Sequence, residues 1–251
     1  YDSEAAVPKN MFYGCTKLAT VTLNDKVAEI GEGAFQNCAA LKNIVLPAGV
    51  KEIKKNSFNG CKALTSVTLP ATLTDIGANA FDGCSLLASV TINGQIENLG
   101  LDAFARCSDD LSITFADGSD MAYENCALYN GDTLLAYYGK EMSFRVKDGT
   151  VAIATKAFNG NATLIEVVLP ATLTEIGEYA FQKCSALTAI NLKNVKTIGK
   201  YAFDNAAKLA NDSAETTTGL YIGANTIGDY AFRKCLALES VAFFGVNVSV
   251  G

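Results

Sequence analysis

Residues 80–92, AFDGCSLLASVTI, place five apolar side chains at offsets that recur along the chain: Phe81, Cys84, Leu87, Val90 and Ile92. In the first half of the chain both phenylalanine and cysteine return every 23 residues, at Phe12, Phe35, Phe58, Phe81 and Phe104 and at Cys15, Cys38, Cys61, Cys84 and Cys107. A period of about 20–50 residues is typical of a solenoid, whose units bury their apolar faces only against neighbouring units. We therefore expect one elongated repeat domain over residues 1–251.

Each repeat combines a strand signal with a turn signal. Val67-Thr68-Leu69 and Val90-Thr91-Ile92 alternate apolar and polar residues and are rich in β-branched types, which predicts a strand with one buried face. One strand per repeat at a constant phase predicts a parallel sheet along one side of the solenoid. The IGxxAF segment, as in residues 76–81, has apolar spacings of three to five residues, which predicts one or two short helical turns on the opposite side.

The 23-residue spacing is interrupted between Phe104 and Phe158. The chain therefore divides into a first repeat block (1–115), an insertion (116–150) and a second repeat block (151–251). Within the insertion, Asn130-Gly131 lies between two apolar runs, which predicts a β-hairpin. The following residues 144–146, Phe-Arg-Val, are expected to form the strand that restores the register. A polar run at residues 210–218 predicts a surface loop.

The cysteines are expected to be reduced. Because the same slot holds Asn161 and Ala206 in later repeats, it does not require sulfur, and a buried free cysteine behaves as a small hydrophobe. Disulfides between neighbouring coils are the alternative. Cys126 lies outside the ladder and is expected to be the one exposed, reactive thiol.

Composition excludes several classes of function. The formal charge of -6 argues against nucleic-acid binding, and no apolar run approaches the length of a membrane span. The first ten residues lack the pattern of a signal peptide. The absence of histidine removes the commonest general base and metal ligand, and no nucleophile elbow or phosphate-binding glycine loop occurs. We expect no enzymatic activity, cofactor or metal. The carboxylates that recur once per coil are expected to lie along a solvent-exposed edge of the solenoid.

The unit LPATLTEIGEYAFQKCSALTAI at residues 169–190 resembles the BspA-like, or treponemal-type, leucine-rich repeat. The segment ENCALYNGDTLLAYYGK at residues 124–140 is similar to the hairpin insertion of that family, although Cys126 and Tyr138 depart from its usual glycine and proline. The resemblance implies an α/β leucine-rich repeat solenoid, a right-handed coil. It also implies a surface-exposed or secreted protein, often adhesive.

Two surfaces are candidates for binding. The predicted sheet face carries small hydroxyl side chains, and aromatic side chains, which often dominate binding energy, gather near the hairpin. The candidate residues are Thr22, Thr68, Thr91, Thr114, Asn191, Tyr221, Tyr123 and Tyr138. Alternatively, the hydroxyls are ordinary solvated strand residues and the hairpin is a structural spacer.

The leading hypothesis is a noncatalytic scaffold that binds a protein on a host or neighbouring cell. A glycan-capturing module and a hydrolase are the alternatives. A glycan binder should show an exposed row of two or three aromatics, whereas a protein binder should show a wide, shallow face.

Overall fold

Strands and turns make up the described part of the chain. The computed structural model describes residues 5–211, 219–243 and 249–250, and no helix occurs among them. The chain divides into two compact units, residues 1–126 and 127–251, and each contains stacked parallel strands. The predicted leucine-rich repeat solenoid is confirmed at this level. The extension of one domain over all three sequence blocks stays a prediction.

The first unit stacks short strands in two parallel sheets. Its strands are β1 (Ala5–Val7), β2 (Val27–Ile30), β3 (Glu52–Ile53), β4 (Ser66–Leu69), β5 (Asp75–Ile76), β6 (Ser89–Ile92), β7 (Asn98–Leu99), β8 (Ser112–Phe115) and β9 (Met121–Glu124). One sheet has the order β1-β2-β3-β5-β7 and the other has the order β4-β6-β8. Strand β9 contacts β8.

The second unit repeats this plan. Its strands are β10 (Ala127–Asn130), β11 (Thr133–Tyr137), β12 (Ser143–Arg145), β13 (Ala152–Ile153), β14 (Glu166–Val168), β15 (Glu175–Ile176), β16 (Ala189–Ile190), β17 (Thr197–Ile198), β18 (Leu220–Ile222), β19 (Thr226–Ile227), β20 (Val241–Phe243) and β21 (Ser249–Val250). Strands β10 and β11 pair antiparallel across Gly131-Asp132, and β11 then pairs parallel with β13. Parallel pairs continue through β15, β17, β19 and β21, while β12-β14-β16 and β18-β20 form separate parallel sheets.

The 23-residue period sets the register between coils. Val67 pairs with Val90 and Val90 with Ile113, so each apolar strand residue lies above its equivalent in the next coil and is buried. In the second unit Phe144 pairs with Val167 at the same spacing, as predicted for the strand at residues 144–146. A slip of one residue would turn each apolar set towards solvent, so burial stabilises this register.

The predicted helical turns are wrong, because the AF segments use their N–H groups differently from a helix. In the third coil the N–H groups of Asn56, Phe58 and Gly60 donate to carbonyls of the next coil at 2.8–3.0 Å. The intervening Asn59 and Cys61 donate to carbonyls three residues back at 3.1 Å. Every second N–H is therefore committed to the neighbouring coil, whereas a helix would direct all of them along its own axis. The apolar spacing satisfies both arrangements.

A column of stacked phenylalanines fills each unit. Adjacent rings lie 5.1–5.4 Å apart from Phe12 to Phe104, and 4.6–5.1 Å apart from Phe158 to Phe232. Seven of the rings are fully buried: Phe35, Phe58, Phe81, Phe104, Phe158, Phe181 and Phe203. Each buried ring contributes about 1.5–3 kcal/mol of hydrophobic stabilisation. The column is therefore a major part of the core of each unit.

Candidate binding surfaces

Three strands of the first unit present two rows of hydroxyl groups. Strands β4, β6 and β8 align Ser66, Ser89 and Ser112 in one row and Thr68, Thr91 and Thr114 in the other. We call these six residues the hydroxyl face. The rows lie on the solvent side because the residues between them are buried, and neighbouring strands are about 4.8 Å apart. Thr114 Oγ1 lies 3.4 Å from Thr91 Oγ1, so the hydroxyls of adjacent coils are within hydrogen-bonding reach.

An apolar side chain borders the hydroxyl face. Val45, in the coil before β4, is 81% exposed, although it occupies the same outward position as Thr68. A groove of about 530 Å³ runs between Val45, Asn43, Ser66 and Thr68. This edge offers apolar contact and hydrogen-bonding groups side by side.

The other predicted site residues lie outside strands β4, β6 and β8. Thr22 is exposed and lines a separate, mostly apolar groove of about 290 Å³ in the first coil. Asn191 holds two coils together, because its side-chain amide accepts from the Leu169 N–H at 2.7 Å and donates to the Leu169 carbonyl at 3.1 Å. Tyr221 lies half-buried in β18.

The two hairpin tyrosines are half-buried. Tyr123 lies in β9 of the first unit, and Tyr138 follows β11 in the second unit. Tyr129 and Tyr137, in β10 and β11, are buried core residues. At the far end of the chain, Phe243 is 53% exposed. Phe244 and most of the predicted loop at residues 210–218 lie outside the described residues.

The cysteine ladder has a hydrogen-bonding role that the sequence does not reveal. Cys61 and Cys84 are buried, and the thiol of each donates to the phenylalanine carbonyl of the preceding coil at 3.2 Å. In the same slot Asn161 donates its side-chain N–H to the Gly139 carbonyl at 3.1 Å. Cysteine and asparagine in this slot therefore join adjacent coils through a side-chain hydrogen bond, although Ala206 shows that a short side chain without a donor also fits.

Exposure of the thiols differs from the expectation. All eight cysteines are free, and Cys15, the first member of the ladder, is exposed, whereas Cys126 is half-buried. The expectation that Cys126 is the one exposed thiol is therefore wrong. Burial raises the pKa of the Cys61 and Cys84 thiols, and it raises the pKa of Cys184 to about 12. These buried thiols are poor nucleophiles because the thiolate is disfavoured.

The recurring carboxylates form a row along β2, β3 and β5. Glu29, Glu52 and Asp75 are in register, and Lys54 Nζ forms ion pairs with both glutamates. The Asn98 amide donates to Asp75 at 2.6 Å, and a hydrogen bond from Thr74 is the largest cause that lowers the pKa of Asp75. This arrangement balances charge along an edge, because each carboxylate has a lysine or amide partner.

Each unit contains a buried aspartate at the end of a ladder of side-chain amides. In the second unit the Asn159 amide donates to Gln182 and the Gln182 amide donates to Asp204, both at 3.0 Å, and Arg233 clamps Asp204 with bonds of 2.7 and 3.0 Å. In the first unit, Gln36, Asn59, Asp82 and Arg106 form the equivalent ladder. The hydrogen bonds from Arg233 are the largest cause that lowers the pKa of Asp204.

The second unit also carries a column of tyrosines outside its core. Tyr179, Tyr201 and Tyr230 stack with ring centroids 5.2 and 5.0 Å apart and interplanar angles of 11° and 13°. We call these three residues the tyrosine ladder. Tyr230 is 57% exposed, and the other two rings are half-buried. The Arg233 guanidinium lies 5.0 Å from the centroid of the Tyr201 ring and 5.7 Å from that of Tyr230, within cation–π range.

The tyrosine ladder has strained backbone. All three residues adopt left-handed conformations, with φ of 56°, 55° and 59°. The equivalent position, two residues before the core phenylalanine, holds residues that tolerate this conformation in the first unit: Asn10, Gly33, Asn56, Asn79 and Asp102. A left-handed tyrosine costs about 1–2 kcal/mol, and an aromatic pair returns about 0.5–1.5 kcal/mol. The stacking energy of the rings is therefore similar in size to the cost of the strained backbone and does not clearly exceed it.

The tyrosine ladder was not among the residues predicted from the sequence. The signal was the YAF triplet at residues 179–181, 201–203 and 230–232, but its spacings of 22 and 29 residues depart from the 23-residue period.

The family model for the BspA type leucine-rich repeat region matches residues 5–130 and 136–250 in six copies. No protein with a curated functional description matches the sequence.

Several solved bacterial structures share the fold. A leucine-rich cell surface protein from Faecalibacterium prausnitzii is 25% identical, with coverage of 97% of this chain and 79% of that chain and a TM-score of 0.59. A leucine-rich repeat protein from Eubacterium ventriosum is 20% identical, with coverage of 98% and 71% and a TM-score of 0.72. The pneumococcal vaccine antigen PcpA is 20% identical, with coverage of 90% and 68% and a TM-score of 0.52.

Among the residues that the structure describes, no helix is long and apolar enough to cross a membrane. The family match covers nearly all of the chain and includes the coils that build the hydroxyl face and the tyrosine ladder. The chain therefore belongs to the BspA type leucine-rich repeat family.

Proposed function

We propose that this chain is a noncatalytic interaction scaffold of the bacterial cell surface that binds a protein partner through the hydroxyl face and Val45. The observation that carries the proposal is the in-register alignment of hydroxyls, five exposed and Thr91 half-buried, beside a valine that is 81% exposed. Small hydroxyls on a rigid sheet lose little side-chain entropy on binding, and an exposed valine adds apolar area.

The location rests on the relatives. The Faecalibacterium prausnitzii protein is described as a cell surface protein, and its fold extends over nearly the whole of this chain. A wide, shallow sheet face is the geometry expected of a protein binder. The paired state of Glu29, Glu52 and Asp75 supports the noncatalytic part of the proposal.

The hairpin tyrosines are a weaker candidate for the same role. Tyr123 and Tyr138 were expected to supply exposed rings for binding, but both are half-buried. A half-buried ring contributes less new buried area to a complex than an exposed one. The hydroxyl face is therefore the first surface to test.

The test measures binding of the purified chain to immobilised extracellular matrix proteins by surface plasmon resonance. The variant Thr68→Arg with Thr91→Arg places two long cations on the face, and we expect it to weaken binding of a cognate protein by at least about tenfold. The control is Thr16→Arg with Ser185→Arg, which adds the same charge at two exposed turn residues. Unchanged affinity of a folded face variant would contradict the proposed site, and turnover of a glycan by the chain would contradict the noncatalytic scaffold.

A further inference from the structure

We infer that the tyrosine ladder is a second binding site, and that its ligand is a linear anionic polysaccharide. The ladder comprises Tyr179, Tyr201 and Tyr230 in successive coils of the second unit. This site is independent of the hydroxyl face, which lies in the first unit.

The left-handed backbone of the three tyrosines is the first indication of a ligand site. The coil turn can be built with asparagine, glycine or aspartate at this position, as the first unit does at every coil. Three consecutive coils of the second unit instead hold tyrosine in a conformation that disfavours it. Strained backbone often clusters at functional sites, and here it holds three stacked, partly exposed rings, whereas the preceding coil holds Lys156 in the same conformation.

The geometry of the rings narrows the class of ligand. Because the rings are stacked on one another, both faces of Tyr201 and the inner faces of Tyr179 and Tyr230 are covered, and what the column presents along its length is a series of ring edges and phenol groups. Nucleobases bind aromatic residues through ring faces, which this column does not offer freely. A chain of sugar rings carries both C–H surface and hydroxyl groups, and it can match a repeated phenol that has an apolar body and a polar tip.

Charge indicates an anionic ligand. Lys156 Nζ lies 6.0 Å from the centroid of the Tyr179 ring, and Lys200 Nζ lies 5.5 Å from that of Tyr201. Lys183 and Lys234 are exposed four residues after Tyr179 and Tyr230, within the same turns. The exposed acids beside the ladder are Glu178 and Asp229, while Asp204 is buried and bound by Arg233.

The charge of the ladder contrasts with that of the whole protein. Residues 127–251 contain 11 basic and 11 acidic residues, so the second unit as a whole is neutral. Residues 1–126 contain 9 basic and 15 acidic residues and carry the whole formal charge of -6. Lysines cluster beside the rings of a unit that is neutral as a whole, which favours a local anion site.

The experiment measures affinity of the purified chain for heparin and for polygalacturonate, which carry sulfate and carboxylate groups respectively. We expect binding of at least one of them, and we expect it to weaken as salt is raised because the cations are exposed. Neutral dextran, poly-glutamate and oligo-dT are the comparison polymers. Equal binding of any of these three would overturn the assignment to an anionic polysaccharide, and so would no binding of either anionic glycan.

Two double variants test whether the glycan binds at the tyrosine ladder. Tyr201→Asn with Tyr230→Asn restores residues that suit the left-handed backbone, and we expect about tenfold weaker glycan binding. Tyr13→Asn is the matched control, since Tyr13 is 55% exposed but lies in the first unit. Lys200→Gln with Lys234→Gln leaves the rings in place and should weaken binding and reduce its salt dependence, whereas Lys17→Gln with Lys62→Gln should not.

The outcomes separate this site from the proposed protein-binding face. Thr68→Arg with Thr91→Arg should not weaken glycan binding if the ladder is the site. If the folded tyrosine variant binds glycan as well as the unmodified chain, and the lysine variant does too, the column only stabilises coil stacking and the inference is wrong.

Discussion

At the scale of single residues, the same few side chains connect neighbouring coils throughout the protein. Cysteine donates to a phenylalanine carbonyl, asparagine can replace it, and a buried aspartate ends each amide ladder. Each of these groups is polar, and each is tolerated inside because it meets a partner on the adjacent coil. Polar residues in the core therefore help to define how the coils stack.

Thiol reactivity should follow burial and not position in the repeat. We expect a maleimide reagent to label Cys15 first in the native protein, because Cys15 is exposed, while Cys61 and Cys84 stay unlabelled for want of thiolate and access. Peptide mass mapping after short labelling measures this order. Labelling in denaturant is the control, and rapid native labelling of Cys84 would contradict the prediction.

Asp204 should make the second unit sensitive to acid. The Arg233 hydrogen bonds lower its pKa in the folded state, so this stabilisation is present above the unfolded pKa of about 4 and is lost as pH falls through the folded pKa. We expect Asp204→Asn to lower the melting temperature at pH 7 and to flatten its dependence on pH below about 4. Asp229→Asn, at an exposed carboxylate, is the control. An unchanged pH profile in Asp204→Asn would show that the clamp adds no stability.

At the scale of elements, the turns and not the strands distinguish this protein from a simple stack of β-strands. Each of the nine core phenylalanines has one left-handed residue at the second position before it and one at the second position after it, which gives eighteen such residues. They allow alternate N–H groups to reach the next coil. Where the first of these positions holds tyrosine, the turn also carries the side chains of the tyrosine ladder.

Close backbone approach explains the glycine of the IGxxAF segment. A Cβ on Gly77 would lie 2.4 Å from the Lys55 nitrogen, whereas a Cβ on Gly49 would have only ordinary contacts at 3.6 Å. We expect Gly77→Ala to destabilise the protein by at least about 2 kcal/mol, because backbone must move, and Gly49→Ala to have little effect. Urea unfolding measures both.

The same close approach recurs in other coils, where a Cβ on Gly100 or Gly177 would lie 2.1 or 2.7 Å from backbone nitrogen of the preceding coil. Lys54 and Ala154 nevertheless occupy the equivalent slot in two coils, so a coil can adjust to a side chain there. Equal stability of the two alanine variants would show that neighbouring coils can separate enough to admit a methyl group.

At the scale of the whole molecule, stability in each unit comes from contacts between successive coils. Phe58 stacks between Phe35 and Phe81 at 5.3 and 5.1 Å and is fully buried. Phe12 stacks on Phe35 and is half-buried. A coil in the interior of a stack thus gains two interfaces, and a coil at the edge of the described stack gains less.

This difference predicts a gradient of mutational cost within the first unit. We expect Phe58→Ala to reduce the free energy of unfolding by about 3–5 kcal/mol and Phe12→Ala to reduce it by clearly less, because less apolar area and fewer ring contacts are lost. Hydrogen exchange should show the same order, with slower exchange around Phe58. Equal costs would mean that coil position does not control stability.

The sequence predicted one strand per coil, and the structure has a further parallel sheet, β1-β2-β3-β5-β7 in the first unit, that was not predicted. Periodicity alone was sufficient to predict the stacking, the phenylalanine core, the β4-β6-β8 strands and the return strand near residues 144–146, which the structure places at Ser143–Arg145. These features depend on which residues recur at 23-residue intervals, and burial of an apolar set leaves one workable register. The exposure of Cys15 and the half-burial of Tyr138 depend on which coil covers which side chain, and no repeat pattern records that.

The conformation of the turns and the stacking of the tyrosine ladder could be identified only from the tertiary structure. Apolar spacing of three to five residues suits both a helical turn and a left-handed turn, and only the hydrogen bonds between coils select the second. Tyr201 and Tyr230 are 29 residues apart in sequence but stack at 5.0 Å, and Asp204 and Arg233 meet across the same 29 residues. Extra chain between two coils changes sequence spacing without changing register, because the strands and rings on either side still pair with their neighbours.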